Sequence, residues 1–226
     1  MSLSTGRGPL SANPAGRFTA PVPAGVAYIE PFRRRVRAVK DGRTVVDSER
    51  VLLVHRSGRP PAYAFPANDV DGLACEAEPD APGYVSVAWG AADTWYEEDE
   101  QVFGHARNPY HRVDCLRSGR RIVVEAADVT LADTATTLAV FETALEPRLY
   151  IDPELVRTDL LEPSTTRTYC PYKGTASYWH ARVGDSFLAD VAWSYEEPLP
   201  ESLPLAHHLS FDEHRVSVRH DLPPAN

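Results

Sequence analysis

"RRRVRAVKDGRTVVDSERVLLVHRSGRPPAYAFPANDV", residues 33–70, decides how this chain is to be read. Valine, alanine and leucine alternate with arginine, aspartate and histidine at a period of two, the spacing of half-buried strands. Lys40-Asp41-Gly42 interrupts the first run with a strong hairpin signal. The stretch predicts strand, turn, strand, strand, turn, strand.

Moved 86 positions along, the same frame recurs without a gap in "RRIVVEAADVTLADTATTLAVFETALEPRLYIDPELV", residues 120–156. Asp47 falls on Asp133, Leu52 on Leu138, Val54 on Val140, Pro61 on Pro147 and Val70 on Val156, and the apolar positions alternate together. We read this as a tandem duplication. Beyond Val156 the copies diverge. Aligning "GYVSVAW" (83–89) with "HHLSFDE" (207–213) leaves the first copy about 38 residues short, whereas pairing Ala88-Trp89 with Ala192-Trp193 leaves it about 18 short. Under either alignment, "YCPYKGTASYWHARVGD" (169–185) exists once, and 71–82 becomes a short surface connection in the first copy. The expected organisation is a flexible Pro- and Gly-rich arm (1–25), a truncated first repeat (26–94), a linker or lid (95–119), a complete second repeat (120–220) and a tail (221–226).

Composition narrows the class. With 226 residues and 43% hydrophobic side chains the chain can bury a core. A formal charge of −9 disfavours a phosphate-tracking surface, so no nucleic-acid partner is expected. No apolar run reaches membrane-spanning length, and "MSLSTGRGPLSANPAGRFTAPVPAGV" lacks the apolar centre of a signal peptide. A soluble cytoplasmic protein with no membrane partner is expected. Cys75, Cys115 and Cys170 stand 40 and 55 residues apart, without the close pairing of zinc sites or redox dithiols, and neither metal nor cofactor is expected. Twenty prolines and thirteen glycines leave little room for long helices.

The chemistry concentrates late in the chain. Seven of its 21 aromatic residues lie between Tyr169 and Tyr195. One explanation is core packing, in which cross-strand rings stabilise a sheet; it suits Trp179 and Trp193. The other is a stacking pocket with a few polar groups fixing orientation, which suits Tyr172, Tyr178 and Tyr195, whose hydroxyls can face a wet cavity. Cys170 and Lys173 share a proline-containing turn that Gly174 can close with positive φ. A nucleophilic Cys170 would need a base and an oxyanion donor that its neighbours do not supply, so a small buried hydrophobe or a pocket wall is the competing reading. Lys173 can bind an anionic group or a carbonyl. In "FGHARNPYHRVD" (103–114), His105, Arg107, Tyr110 and His111 offer a positive, hydrogen-bonding roof for the same cavity, and a solvated linker is the alternative.

"LYIDPELVRTDLLEPSTTRTYCPYKGTASYWHARVGD" (149–185) and "DVAWSYEEPLPE" (190–201) resemble the pattern of the domain of unknown function 427 family. The joint "WYEEDEQVFGHARNPYHRVD" (95–114) resembles that of its tandem bacterial members, so the resemblance covers roughly 30–218 and is most specific from Asp159 to Glu201. It implies an all-β, mainly antiparallel fold of two small β-tent-like units. The nucleotidyltransferase-like label sometimes attached to the family would require paired metal-binding carboxylates after a Gly-Ser turn, and "VGDSF" supplies one Asp. The first copy departs from the tandem pattern by lacking the Cys-Pro-x-Lys-Gly block.

The leading functional expectation is binding of a small anionic or aromatic metabolite in a pocket built on Cys170, Tyr172, Lys173, Tyr178, Trp179, Trp193 and Tyr195 and roofed by His105, Arg107, Tyr110 and His111. An enzyme acting through Cys170, Lys173 or a histidine, and a purely structural or interaction module, are the alternatives.

Overall fold

The computed structural model describes residues 3–23 and 25–223. They are all-β: nineteen strands paired antiparallel, with helical backbone confined to short 3-10 turns. The chain divides into two compact units, residues 1–111 and 112–226.

In the first unit the strands are β1 (Ala27–Phe32), β2 (Val36–Lys40), β3 (Arg43–Ser48), β4 (Val51–Arg56), β5 (Ala62–Pro66), β6 (Cys75–Ala77), β7 (Tyr84–Val87), β8 (Thr94–Glu97) and β9 (Glu100–Val102). They form two sheets, β1-β4-β5-β7-β6 and β3-β2-β8-β9. The core between them holds Phe32, Val36, Leu53, Phe65 and Trp95. The second unit contains β10 (Val113–Ser118), β11 (Ile122–Ala126), β12 (Val129–Thr134), β13 (Thr137–Glu142), β14 (Arg148–Tyr150), β15 (Leu161–Cys170), β16 (Gly174–Val183), β17 (Ser186–Tyr195), β18 (Ser210–Phe211) and β19 (Ser217–His220). Its sheets are β10-β13-β14, β12-β11-β19 and β15-β16-β17-β18. Period-two burial is plain in β11, where Ile122, Val124 and Ala126 are buried and Val123 and Glu125 are not.

The two units share a register. Each of β10 to β14 begins 86 residues after its counterpart among β1 to β5. Ala27 faces Arg56 as Val113 faces Glu142, and the β2–β3 bulge at Ala38/Val39 recurs in β11–β12 at Val124/Glu125. Phe65 pairs with Val85, and Ile151, 86 residues on, bridges Leu209. Asp41 and Gly42 turn the β2–β3 hairpin with φ of 49° and 73°; Ala127 and Asp128 turn β11–β12 with 45° and 64°.

The stretch expected to be a linker is divided differently. Residues 94–102 are strands of the first unit: β8 pairs with β2, and Trp95 is 2% exposed. The acidic run disguised this, because Glu97 points inward, where Arg34 and the Tyr63 hydroxyl answer its charge, while Glu98 occupies the turn into β9 at φ 52°. Val113–Ser118 pairs with β13 and opens the second unit. Residues 103–112, between β9 and β10, carry no strand. The expected arm is also partly anchored. Ser4 is buried, its hydroxyl donates to Arg59 O at 2.8 Å, and its carbonyl accepts from Gly58 N at 2.6 Å. At the other end, Leu222 of the expected tail packs into the second unit's core. Residues 1, 2, 24 and 224–226 of the arm and tail lie outside the described residues. The connection 71–82 carries the exposed three-residue edge strand β6, and Glu78 beside it is buried.

His55 in β4 is fully buried. Its Nε2 lies 3.0 Å from Glu30 Oε1, its Nδ1 has no partner, and Tyr28 and Tyr110 pack against the ring. Burial lowers its pKa, and Glu30 only partly opposes this.

Two outcomes follow from these features. Left-handed backbone costs a non-glycine residue about 1–2 kcal/mol, so the double substitution Ala127→Asn, Asp128→Gly should stabilise the protein by about 1 kcal/mol, read as a raised urea midpoint with unchanged slope. His55 titrates below its unfolded value, so the unfolded chain binds the proton first and stability falls as pH drops below about 6.5. His55→Gln should flatten the urea-midpoint profile between pH 7 and 5; a profile as steep as that of the unsubstituted protein would assign the acid sensitivity elsewhere.

Candidate functional site

The β15–β16 hairpin turns through Pro171, Tyr172 and Lys173 into Gly174, whose φ is 98°. Backbone conformation favours glycine at 174, and a Cβ there would press on Glu197 O at 3.3 Å. Leu199 N donates to Lys173 O at 3.1 Å and pins the turn to the segment leaving β17. Lys173 is thereby aimed at the end of β13, where its ammonium forms a buried ion pair with Glu142; the side chains are 12% and 7% exposed. Lys173 Nζ also sits 5.8 Å from the centre of the Tyr195 ring. Burial works to lower the Lys173 pKa, but Tyr150 and Glu142 outweigh it and raise the value, keeping the ammonium charged.

Around this pair lies a cavity of about 410 Å³, bounded by Glu142, Arg148, Tyr150, Tyr178, Trp193 and Tyr195, with Val140, Leu145 and Glu146 completing it. Its wall is rigid. Tyr178 and Trp193 are cross-strand partners with ring centres 6.4 Å apart, Trp193 meets Tyr150 edge-on at 87°, and Trp193 Nε1 donates to the Tyr150 hydroxyl at 3.0 Å. Arg148 lies over Trp193 at 5.2 Å. Burial pushes the Tyr195 and Tyr150 hydroxyls above the ordinary tyrosine range, so both remain neutral donors at physiological pH.

Lys173, Tyr178, Trp193 and Tyr195 thus line one cavity. Tyr172 does not face it: at 3% exposure it belongs to the core with Leu205 and Tyr150, contrary to the expectation of a wet hydroxyl. Trp179 neighbours Tyr178 on β16 and so points to the opposite face, packing on a different core. Cys170 is half-buried against the same core as Tyr172, as is Cys115, whose thiol is pushed up by burial despite the pull of Lys173. A raised pKa suppresses thiolate, so Cys115 is a poor nucleophile. Among the described residues no cluster of three or more His, Cys, Asp or Glu could hold a metal ion.

His105, Arg107, Tyr110 and His111 belong to the first unit. There His105 Nδ1 lies 2.7 Å from Ala106 O, Arg107 N donates to Glu97 Oε1 at 3.3 Å, and the Tyr110 hydroxyl donates to Glu30 Oε2 at 2.7 Å. His111 is 7% exposed, which removes it from a solvent-facing lip.

Sequence reasoning missed Glu142, Arg148 and Tyr150. Glu142 ends an apolar strand and reads as its solvated terminus; only the distant Lys173 makes it a buried partner. Tyr150 and Arg148 flank Leu149, and the alternation of β14 was the available signal, since Leu149 faces the other core.

Residues 114–221 match the family described as Domain of unknown function (DUF427), and the second unit belongs to that family. No curated protein matches the chain significantly.

Removing one partner of a buried ion pair strands the other, at about 3–5 kcal/mol, whereas replacing both with apolar groups can be near neutral. Lys173→Met and Glu142→Leu should each destabilise the protein by that order, and the double variant by clearly less than either. Additive losses in urea unfolding would show that the pair does not hold the turn.

Proposed function

We propose that the second unit binds a small metabolite with a planar aromatic body and one anionic group, in the cavity walled by Tyr178, Trp193 and Tyr195. The observation that carries this reading is the combination of a rigid aromatic wall with an arginine at its edge. Such walls supply stacking area, and a few fixed polar groups supply orientation. Lys173 is committed to Glu142, so the anion is read by Arg148, whose side chain is 44% exposed and meets Glu213 only at 3.8 Å. The neutral Tyr195 and Tyr150 hydroxyls add hydrogen bonds deeper in.

Binding is favoured over covalent catalysis because burial holds Cys115 as thiol and Lys173 is committed to Glu142. The reading includes a cytoplasmic location, for which the acidic, cysteine-poor composition is the support; no helix among the described residues is long and apolar enough to cross a membrane. It also includes descent of the two units from one duplicated ancestor, supported by the shared 86-residue register.

The test is a thermal-shift screen of aromatic carboxylates and phosphates against their neutral alcohols. Anionic members should stabilise the protein and quench tryptophan fluorescence. Trp193→Ala and Arg148→Ala should each weaken the best ligand by roughly 1–3 kcal/mol. Binding of alcohols and acids alike, or full affinity in both variants, overturns the proposal.

A further inference from the structure

On the opposite face of the β16–β17 hairpin from the Lys173 cavity, a second cavity of about 310 Å³ is lined by Pro153, Leu161, Trp179, Leu209, Glu196 and His207, with Thr158 beside them. That volume lies at the low end of small-molecule sites, roughly 300–1,000 Å³, and suits a single ring system. Its walls are apolar except at one side, where the polar groups are wired together. Trp179 Nε1 donates to Ser194 Oγ at 2.9 Å, Ser194 Oγ donates to Glu196 Oε1 at 2.6 Å, and Glu196 Oε2 lies 2.5 Å from His207 Nδ1.

Directionality through this chain fixes the chemistry at its end. A carboxylate only accepts, so His207 must carry its proton on Nδ1, and a neutral ring then offers Nε2 as an acceptor. The backbone is built to hold the ring there. Ala206 bridges Tyr195 in parallel, His207 N donates to Tyr195 O at 3.0 Å, and His207 adopts φ 63°. A non-glycine residue in left-handed backbone is uncommon, and such conformations cluster where side chains must be aimed. His207 and His208 occupy the irregular connection before β18.

The open groups select by charge. Glu196 presents a negative carboxylate, a neutral His207 offers Nε2 as an acceptor, and the face of Trp179 attracts cations. All of these favour a ligand that donates protons and carries positive charge, and Glu196 disfavours an anion. The Lys173 cavity differs, with its exposed Arg148 at the edge. We infer that the Trp179–Glu196–His207 cavity is a binding site for a small amine bearing an apolar ring, independent of whatever occupies the Lys173 cavity.

The experiment titrates benzylamine, and separately benzoate, into the isotopically labelled full chain and follows the Trp179 indole N–H and the His207 ring signals by NMR. Benzylamine should shift both in a saturable way, and benzoate should not compete. Glu196 and His207 side chains are 40% and 64% exposed, so Glu196→Gln and His207→Ala should leave the fold, checked by circular dichroism, unchanged. Each should weaken benzylamine about tenfold or more, while Trp193→Ala, which alters only the other cavity, should leave its affinity intact. No saturable shift, benzoate binding as well as benzylamine, or undiminished affinity in Glu196→Gln would each overturn the assignment.

Discussion

A lysine ammonium buried beside a glutamate is tolerable only if the two meet, because either charge alone would cost several kcal/mol in the interior. Lys173 and Glu142 meet this condition across 31 residues of chain, and their meeting ties the β15–β16 turn to the end of β13. The turn can reach that position because Gly174 passes within contact of Glu197 and Leu199, and the aromatic residues of β16 and β17 are then held over β14. The ion pair, the glycine and the cavity are consequences of one geometric closure.

The first unit solves the same problem with the charges exchanged. Arg56 ends β4 as Glu142 ends β13, each opposite the first residue of its pairing strand. Arg56 is paired with Glu78, which is buried, receives a further hydrogen bond from Ser86 at 2.9 Å, and lies in the short connection that stands where the second unit has its long hairpins. A strand end that leaves a charge at the edge of the core needs a partner from whatever segment follows, and in each unit that segment supplies a counter-charge of the fitting sign.

These pairings explain what could and could not be read from the residues. Strand positions from 33 to 70 and from 120 to 156 were legible because period-two alternation and the Asp41-Gly42 turn are local properties. The strand β8 was not, since buried Glu97 and turn residue Glu98 look alike in an acidic run and differ only through Arg34 and Tyr63, 63 and 34 residues away. The same limit applied to the site. Lys173, Tyr178, Trp193 and Tyr195 announced themselves by local density, whereas Glu142, Arg148 and Tyr150 became visible only when tertiary pairing placed them opposite that block. Tyr172 was misread because the tight turn reverses which face a side chain takes, sending its ring into the core beside Leu205.

Register also shows that the first unit has no counterpart of Arg148 and Tyr150. The residues 86 positions before Arg148 and Tyr150 are Ala62 and Ala64, which have neither a cation nor a ring to present. Four aromatic residues of that unit, Tyr63, Phe65, Trp89 and Trp95, instead pack together with ring centres 5.2 to 6.2 Å apart in the space between the sheets. The second unit, with ten-residue strands β15, β16 and β17, has enough sheet to bury one face of a hairpin and still present Tyr178 and Trp193 on the other, and that surplus of surface over core is what makes a site possible there.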